Sequence, residues 1–477
     1  MSEKEAEVHR HGIMFLISST GITIIGFLAT IFYAHWVGPT VLGLYFLFLS
    51  YYAILGVFSD LGIGSAATQR ISSGVDQDEL FTVNLTLRLL LYAMVCVIII
   101  VFRDHFAELN NSGLLFVLIA VFGISTFDSC ISVAIGASNR LGLSASVSLI
   151  NNITRISVQI IAVFLGFQVY GLIGGLVAGL LIEIAIEFKF IDYHIKKFNW
   201  THVKDIWSFS SWAFLSTLST TLFDNTNPLI IALFLPISDV GIFGVCWAFS
   251  VFALFVSTAL CNTLFVKVSR WSSTGEWDAI TISLSRATSY ALLLAIPMLI
   301  GCAILGERLL YYMYGSSFAS GATTLVIIIG ARVIQSVMIL YSNFLMGTDH
   351  VKQQFFGLSA GIIVNIVLAY LLIPILGLPG AAIASLANVT IATVICRYYL
   401  IQIIPIHVDT KTLKDILISS GIMTIVILPI SFFLNKSLVS TGAIVGLGAL
   451  VYLAALFFLN LQIREDVIKT LKIRWIS

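Results

Sequence analysis

Charge is what this chain has least of. Only 10% of its 477 residues are Asp, Glu, Lys or Arg, against roughly 25% in an ordinary soluble protein. That scarcity excludes a soluble domain of any size. The 25 basic and 24 acidic residues nearly cancel to a net charge of +1, and no basic run is present, so nothing points to nucleic acid. The six cysteines (Cys96, Cys130, Cys246, Cys261, Cys302, Cys396) lie in or beside apolar runs without metal-ligand spacing, and are expected to be small buried hydrophobes. The eight histidines form no HExxH cluster. No metal, cofactor or catalytic site is therefore expected. No cleavable signal peptide is expected: Met1 to His11 is polar and partly acidic, and the apolar run that follows is too long. The first helix is expected to serve as its own insertion signal.

What is present is apolar sequence, 59% of the chain, at a mean hydropathy of +1.03. It comes in blocks near the ~20 residues that carry a helix across a bilayer. The blocks predict fourteen spans, at 12–36, 42–62, 81–102, 113–137, 143–166, 169–191, 207–235, 240–262, 280–305, 320–346, 354–373, 378–401, 414–434 and 439–461. With a cytoplasmic amino terminus, eighteen basic residues fall on the cytoplasmic side and three, Arg103, Arg308 and Lys436, on the outer side. That asymmetry is the positive-inside signature, and it places both termini in the cytoplasm.

The chain is also written twice. Gly38-Pro39-Thr40-Val41-Leu42-Gly43-Leu44-Tyr45 is echoed by Pro236-Ile237-Ser238-Asp239-Val240-Gly241-Ile242-Phe243, with Gly43-Leu44-Tyr45 over Gly241-Ile242-Phe243 at an offset of 198. Further on, Gly171, Leu172, Gly174 and Ala178 match Gly377, Leu378, Gly380 and Ala384 at an offset of 206. The expected architecture is an all-α polytopic membrane protein of about fourteen helices, two six-helix lobes in a pseudo-twofold repeat plus a C-terminal helix pair. The lobes are 1–192 and 207–402, joined by a cytoplasmic linker at 193–206; residues 403–477 hold the added pair and a tail. Repeats of this kind place a substrate path between them near the midplane. Gly171, Gly175 and Gly179 form a small-xxx-small ladder suited to close helix packing.

Gly38-Pro39 with Gly43 and Tyr45, then Asp60-Leu61-Gly62-Ile63-Gly64, then Gly377-Leu378-Pro379-Gly380-Ala381-Ala382, resemble the polysaccharide-export flippases. These are the O-antigen-type lipid-linked-oligosaccharide flippases of the multidrug/oligosaccharidyl-lipid/polysaccharide exporter superfamily. The resemblance covers nearly the whole chain. It implies two lobes around a central cavity exposed alternately to either side.

Ionisable residues inside spans are costly and usually face a bundle interior or a wet cavity. Arg155 lies mid-span, and Asn151, Arg155 and Gln159 share one helix face. Arg332 sits mid-span with Gln335 a turn away; Arg88 and Arg286 lie nearer the cytoplasmic ends, where snorkelling to headgroups is the competing reading. A guanidinium keeps its charge and grips phosphate oxygens bidentately, so these four are candidates for the phosphate or pyrophosphate head of a lipid-linked sugar. Interior ion pairing, with Asp128 or Asp224 as partners, is the alternative. Asp224-Asn225-Thr226-Asn227-Pro228 is the most polar intramembrane stretch. Asp224, Asn225 and Asn227, with Asp128, are candidates for a coupling ion (H+ or Na+) or for sugar hydroxyls, against a kinked helix whose polar groups satisfy one another. Glu183 and Glu187 share a face near a cytoplasmic end and are expected in solvated pairing.

The function that follows is a flippase moving a lipid-linked (polyprenyl phosphate or pyrophosphate) oligosaccharide across the plasma membrane for surface polysaccharide assembly. A cation-coupled multidrug exporter of the same superfamily is the alternative. Such exporters commonly carry a carboxylate in the first span, and residues 12–36 contain none. A polyprenyl-linked glycan polymerase or ligase is disfavoured by short outer loops without a His/Asp/Glu constellation.

Overall fold

The structure is a computed structural model that describes residues 3–138, 141–406, 409–434 and 437–465. Arg140, Lys436, Lys469, Lys472 and Arg474, used above in assigning sidedness, lie outside them. The regular secondary structure of the described residues is all helical, with no strand. Among the described residues, twelve stretches are long and apolar enough to cross a membrane. One of them, Gly21–Asp60, is 40 residues long, about 60 Å at 1.5 Å per residue and so twice a bilayer core. It is broken at Gly38, whose φ of 73° and ψ of −179° leave the helical region. Pro39 then supplies no backbone donor. The break splits the stretch into the two expected spans, and the 35-residue helix Trp200–Phe234 completes a count of about fourteen.

The chain divides into two compact units, Met1–Gly241 and Ile242–Ser477. The first contains α1 (Glu3–Asp60), α2 (Ile63–Ile71), α3 (Gln77–Val101), α4 (Ala107–Asn111), α5 (Leu114–Ala137), α6 (Leu141–Phe164), α7 (Gln168–Glu187) and α8 (Trp200–Phe234). Helix α9 (Ile237–Ser250) opens at the division. The second unit continues with α10 (Phe255–Thr274), α11 (Trp277–Tyr314), α12 (Ala322–Gly347), α13 (Val351–Leu376), α14 (Leu378–Ile401), α15 (Thr410–Phe433) and α16 (Leu438–Leu459).

In the first unit, Asp60 ends α1 and starts α2. Its carboxylate accepts the Gly62 N–H at 3.2 Å and the Gly64 N–H at 3.0 Å, so it caps the turn between the two helices. Helices α6 and α7 pack as a hairpin. A Cβ on Gly175 would meet the Arg155 carbonyl oxygen at 2.7 Å, and one on Gly179 the Asn151 Oδ1 at 2.8 Å. The glycine ladder is therefore a packing device, as its spacing predicts. The segment after α7 is fastened to the start of α3: Lys196 Nζ meets Asp78 Oδ2 at 2.7 Å, and the Lys196 N–H donates to Thr82 Oγ1 at 3.0 Å. That hydrogen-bonded carboxylate raises the Lys196 pKa.

The repeated motif meets itself. A Cβ on Gly43 would run into the carbonyl oxygen of Ile237, and one on Gly241 into that of Pro39. Pro39 and Ile237, like Gly43 and Gly241, are 198 residues apart. The two contacts are thus one contact made twice, possible only because neither glycine has a side chain.

In the second unit the last helix pair is fastened to α11. Arg308 donates to the carbonyls of Ser431 at 2.9 Å and Leu434 at 3.0 Å, satisfying acceptors that the end of α15 leaves open. Tyr452 Oη donates to the Leu293 carbonyl at 2.6 Å. Asp409 caps α15 by accepting from the N–H groups of Lys411 and Thr412 at 3.2 Å each.

Candidate functional site

The four candidate arginines fall in four different environments. Arg155, on α6, is half-buried and donates to Asn152 Oδ1 at 2.8 Å. Among the described residues no carboxylate pairs with it. Arg332, on α12, is 3% exposed, stacks 3.8 Å over the Trp247 ring, and donates to Ser250 Oγ at 2.9 Å and Gln335 Oε1 at 2.6 Å. Arg88, on α3, is buried against Asp60, with which it forms an ion pair. Arg286, on α11, is exposed and lines a cavity of about 270 Å³ with Thr281, Ser285, Asp409 and Gln462. Arg155 is thus the mid-span cation with donors left for a ligand, while Arg332 is tied into its own unit.

The stripe around Arg155 divides in the same way. Gln159 is buried, accepts from Tyr33 Oη at 2.9 Å, and donates to Tyr45 Oη at 3.0 Å and the Leu172 carbonyl at 2.7 Å. It locks α6 to α1 and α7. Asn151 donates from its amide to Glu183 Oε2. No spacing pattern pointed to Tyr33, Tyr45 or Trp247 as partners, because each lies far from its arginine or glutamine along the chain.

Glu183 and Glu187 are not in solvated pairing. Glu187 is 2% exposed and accepts from Ser132 Oγ at 2.8 Å; Glu183 takes the Asn151 amide. The expectation failed because the sequence places a helix end near the membrane surface but does not show that α5 and α6 cover it. Asp128 is 8% exposed on α5, one turn before Ser132, whose hydroxyl donates to Glu187. Next to this group, a cavity of about 240 Å³ is lined by Tyr52, Ser59, Asp60, Arg88, Ser125 and Ser129.

Helix α8 runs unbroken through Asp224-Asn225-Thr226-Asn227-Pro228. Asp224 is exposed and Asn227 buried; Asn225 Nδ2 donates to the Thr221 carbonyl at 3.0 Å, and Thr226 Oγ1 to that of Leu222 at 2.5 Å. Two of these polar groups are therefore spent on their own helix. The cysteines are all free, five of them buried and Cys96 partly so. Among the described residues no group of three His, Cys, Asp or Glu is placed to hold a metal ion.

The sequence pattern of the family described as polysaccharide biosynthesis protein matches residues 33–323. A probable low-salt glycan biosynthesis flippase of Haloferax volcanii is 25% identical over 420 residues, covering 88% of each chain. Among solved structures, the lipid II flippase MurJ in an inward closed conformation superposes with a TM-score of 0.75 at 18% identity, over 96% of this chain and 100% of that one. An inward-facing multidrug resistance MATE family transporter of the MOP superfamily gives 0.62 at 15% identity, over 82% and 98%. At such identities the structural likeness speaks for the fold.

Proposed function

Since the chain belongs to the polysaccharide biosynthesis protein family, we propose that it is a flippase. It moves a lipid-linked oligosaccharide across the plasma membrane for surface polysaccharide assembly, with both termini in the cytoplasm. The observation that carries this reading is the match, over 88% of each chain, to a glycan biosynthesis flippase.

The chemistry agrees. The cargo is a polyprenyl phosphate or pyrophosphate whose anionic head and glycan must cross while the lipid tail stays in hydrocarbon. Arg155 suits the head: it is mid-span, half-buried, and has no carboxylate among the described residues to neutralise it. Its remaining N–H groups match phosphate oxygens in a bidentate fork. Arg286, in a cavity at one end of α11, suits a head at an earlier stage of the same passage. Alternating access moves the cargo, and no bond is broken. Carboxylates of the first unit serve the coupling ion. Likeness to a multidrug transporter supports drug export as the rival, and the first span, without Asp or Glu, speaks against it.

The test is translocation of a polyprenyl-pyrophosphate oligosaccharide by purified protein in liposomes, with protein-free liposomes as control. Protein-dependent movement that Arg155→Ala reduces about tenfold or more supports the reading, a loss of roughly 1.4 kcal/mol of stabilisation at the head. Normal movement by a well-folded Arg155→Ala removes that residue from the path. Dye efflux without glycan movement would establish the rival.

A further inference from the structure

Three helices of the first unit leave a gap between them. Gly56 and Ser59 lie one turn apart on α1, Ser125 and Ser129 one turn apart on α5, and with Arg88 of α3 they line the cavity of about 240 Å³. A missing side chain opens it. A Cβ on Gly56 would meet nothing within 4 Å, whereas one on Gly175 or Gly179 would crowd α6. Glycine weakens a helix, and at position 56 no close packing accounts for it. At the repeat offset of 198, Gly56 corresponds to Leu254, which is buried. The second unit thus puts a leucine where the first leaves space.

The lining selects the chemistry that can fill this space. Four hydroxyl groups give their protons to carbonyls of their own helices: Ser59 to Gly56 at 2.9 Å, Ser125 and Thr126 to Phe122 at 3.1 and 2.8 Å, and Ser129 to Ser125 at 2.7 Å. What remains for a ligand is their lone pairs. Asp60, paired with Arg88, adds carboxylate oxygens to the same wall. Arg88 is 6% exposed, and its Nε meets no acceptor among the described residues. A donor without a partner therefore stands at a buried position. The rings of Tyr52 and Phe122 supply apolar wall. A fitting ligand brings several O–H donors and an acceptor, carries no net charge, and has an apolar face for the rings. A sugar ring meets each of these demands, with hydroxyl groups at its edge and C–H groups on its faces.

Other ligands meet fewer of them. A phosphate has few protons to give and would face the Asp60 carboxylate. A bare cation would face the Arg88 guanidinium, in a space equal to about eight waters at roughly 30 Å³ each. The cavity is also smaller than the ~300–1,000 Å³ of pockets for drug-sized molecules, so it holds one ring and not a chain of them.

We propose that this cavity is a binding subsite for one neutral sugar residue, with the open space at Gly56 admitting the ring. A ring that carries a carboxylate or a sulfate is turned away by Asp60. As the place where the first unit reads the glycan of the cargo, the subsite rests on the flippase reading; as a sugar site it stands on the cavity alone.

The experiment is saturation-transfer NMR on the full-length protein in detergent, with methyl glycosides of glucose, galactose and mannose as probes and protein-free micelles as control. The expected result is saturation of at least one glycoside, lost in Gly56→Leu at an unchanged melting temperature. Ser129→Ala weakens binding about fivefold, as the loss of one hydrogen bond implies, and it carries the test should Gly56→Leu not fold. Methyl glucuronide, a ring with a carboxylate, gives a weaker signal. No saturation of any glycoside overturns the proposal, as does a signal unchanged in both variants. Displacement of the glycoside by inorganic phosphate or by Na+ also overturns it and assigns the space to an ion. In liposomes, Gly56→Leu slows movement of a lipid-linked oligosaccharide built of neutral sugars. Glycoside binding without glycan movement by the wild type sinks the flippase reading alone. Glycan movement that a well-folded Gly56→Leu leaves unchanged sinks the subsite alone.

Discussion

The hairpin α6–α7 and the hairpin α13–α14 occupy equivalent places in the repeat, yet they solve the same packing problem with opposite residues. At the offset of 206, Asn151, Arg155 and Gln159 correspond to Gly357, Gly361 and Asn365, while Gly175 and Gly179 correspond to Ala381 and Ser385. In the first hairpin the glycines lie on the second helix, and the large polar side chains of the first helix pack over them. In the second hairpin, apart from Gly380 near the turn, the glycines at the contact lie on the first helix: a Cβ on Gly357 would meet Cys396 Sγ at 2.7 Å, and one on Gly361 the Asn388 carbonyl at 2.7 Å. Both allow close approach. At these matched positions only the first holds a cation and, one turn beyond its glycines, the half-buried carboxylate Glu183, whose counterpart is Val389. Packing is symmetric between the halves and chemistry is not.

The largest effect on that comparison should come from Gly179→Leu, which drives a side chain into Asn151 and the Arg155 Cβ. Overpacking of a close backbone contact should cost about 3 kcal/mol or more, seen as loss of monodisperse protein on size exclusion. Gly361→Leu should fail to a similar degree; a well-folded Gly361→Leu would break the equivalence. Next comes Arg332→Ala, which leaves Ser250 and Gln335 buried without their donor and strips the face of Trp247. A loss of about 2–4 kcal/mol is expected, read as a lower melting temperature.

Gly43→Ala, at the reciprocal contact, should cost about 1–3 kcal/mol, and Gly241→Ala the same within error. Unequal costs would show that the two contacts are not alike. Arg155→Ala should change stability by less than about 1 kcal/mol, since it gives up one half-exposed hydrogen bond, while translocation falls. A large drop in melting temperature would move Arg155 from the transport path to the scaffold, beside Arg332.

The smallest effect concerns Asp409. Burial opposes its charge, but hydrogen bonds from the Thr412 side chain and from the Thr412 and Lys411 N–H groups, with the Lys411 charge, outweigh it, and the pKa lies below the ordinary carboxylate value. The cap therefore stabilises fully above the unfolded pKa and is lost as pH falls through the lower folded value. Acid titration of melting temperature should show a shallow decline in that window, flattened by Asp409→Asn, which retains an acceptor; the cap itself is worth about 1 kcal/mol.

Much of this was legible in one sequence. Span number and the twofold repeat follow from block length and from glycines at fixed offsets, since both are local or periodic signals. The polar face of α6 was legible too, but not which of its members turn inward. Gln159 is claimed by Tyr33 and Tyr45 on α1, and no spacing rule connects residues so far apart. The intramembrane arginines read alike as cations, and their burial separates them: Arg88 pairs with Asp60, Arg332 stacks on Trp247, and Arg155 keeps donors to spare. Glu183 and Glu187 were misread because their depth depends on what α5 and α6 cover.

The contact between Gly43 and Ile237, repeated between Gly241 and Pro39, has a further implication. A surface on which residue i meets j′ while i′ meets j is the signature of an isologous dimer. Here both partners lie on one polypeptide, as they would if two copies of a smaller protein had been fused after they had already learned to pair. A side chain added at either glycine would have struck both halves of that ancestral dimer at once. In the single chain both positions, 43 and 241, are glycine.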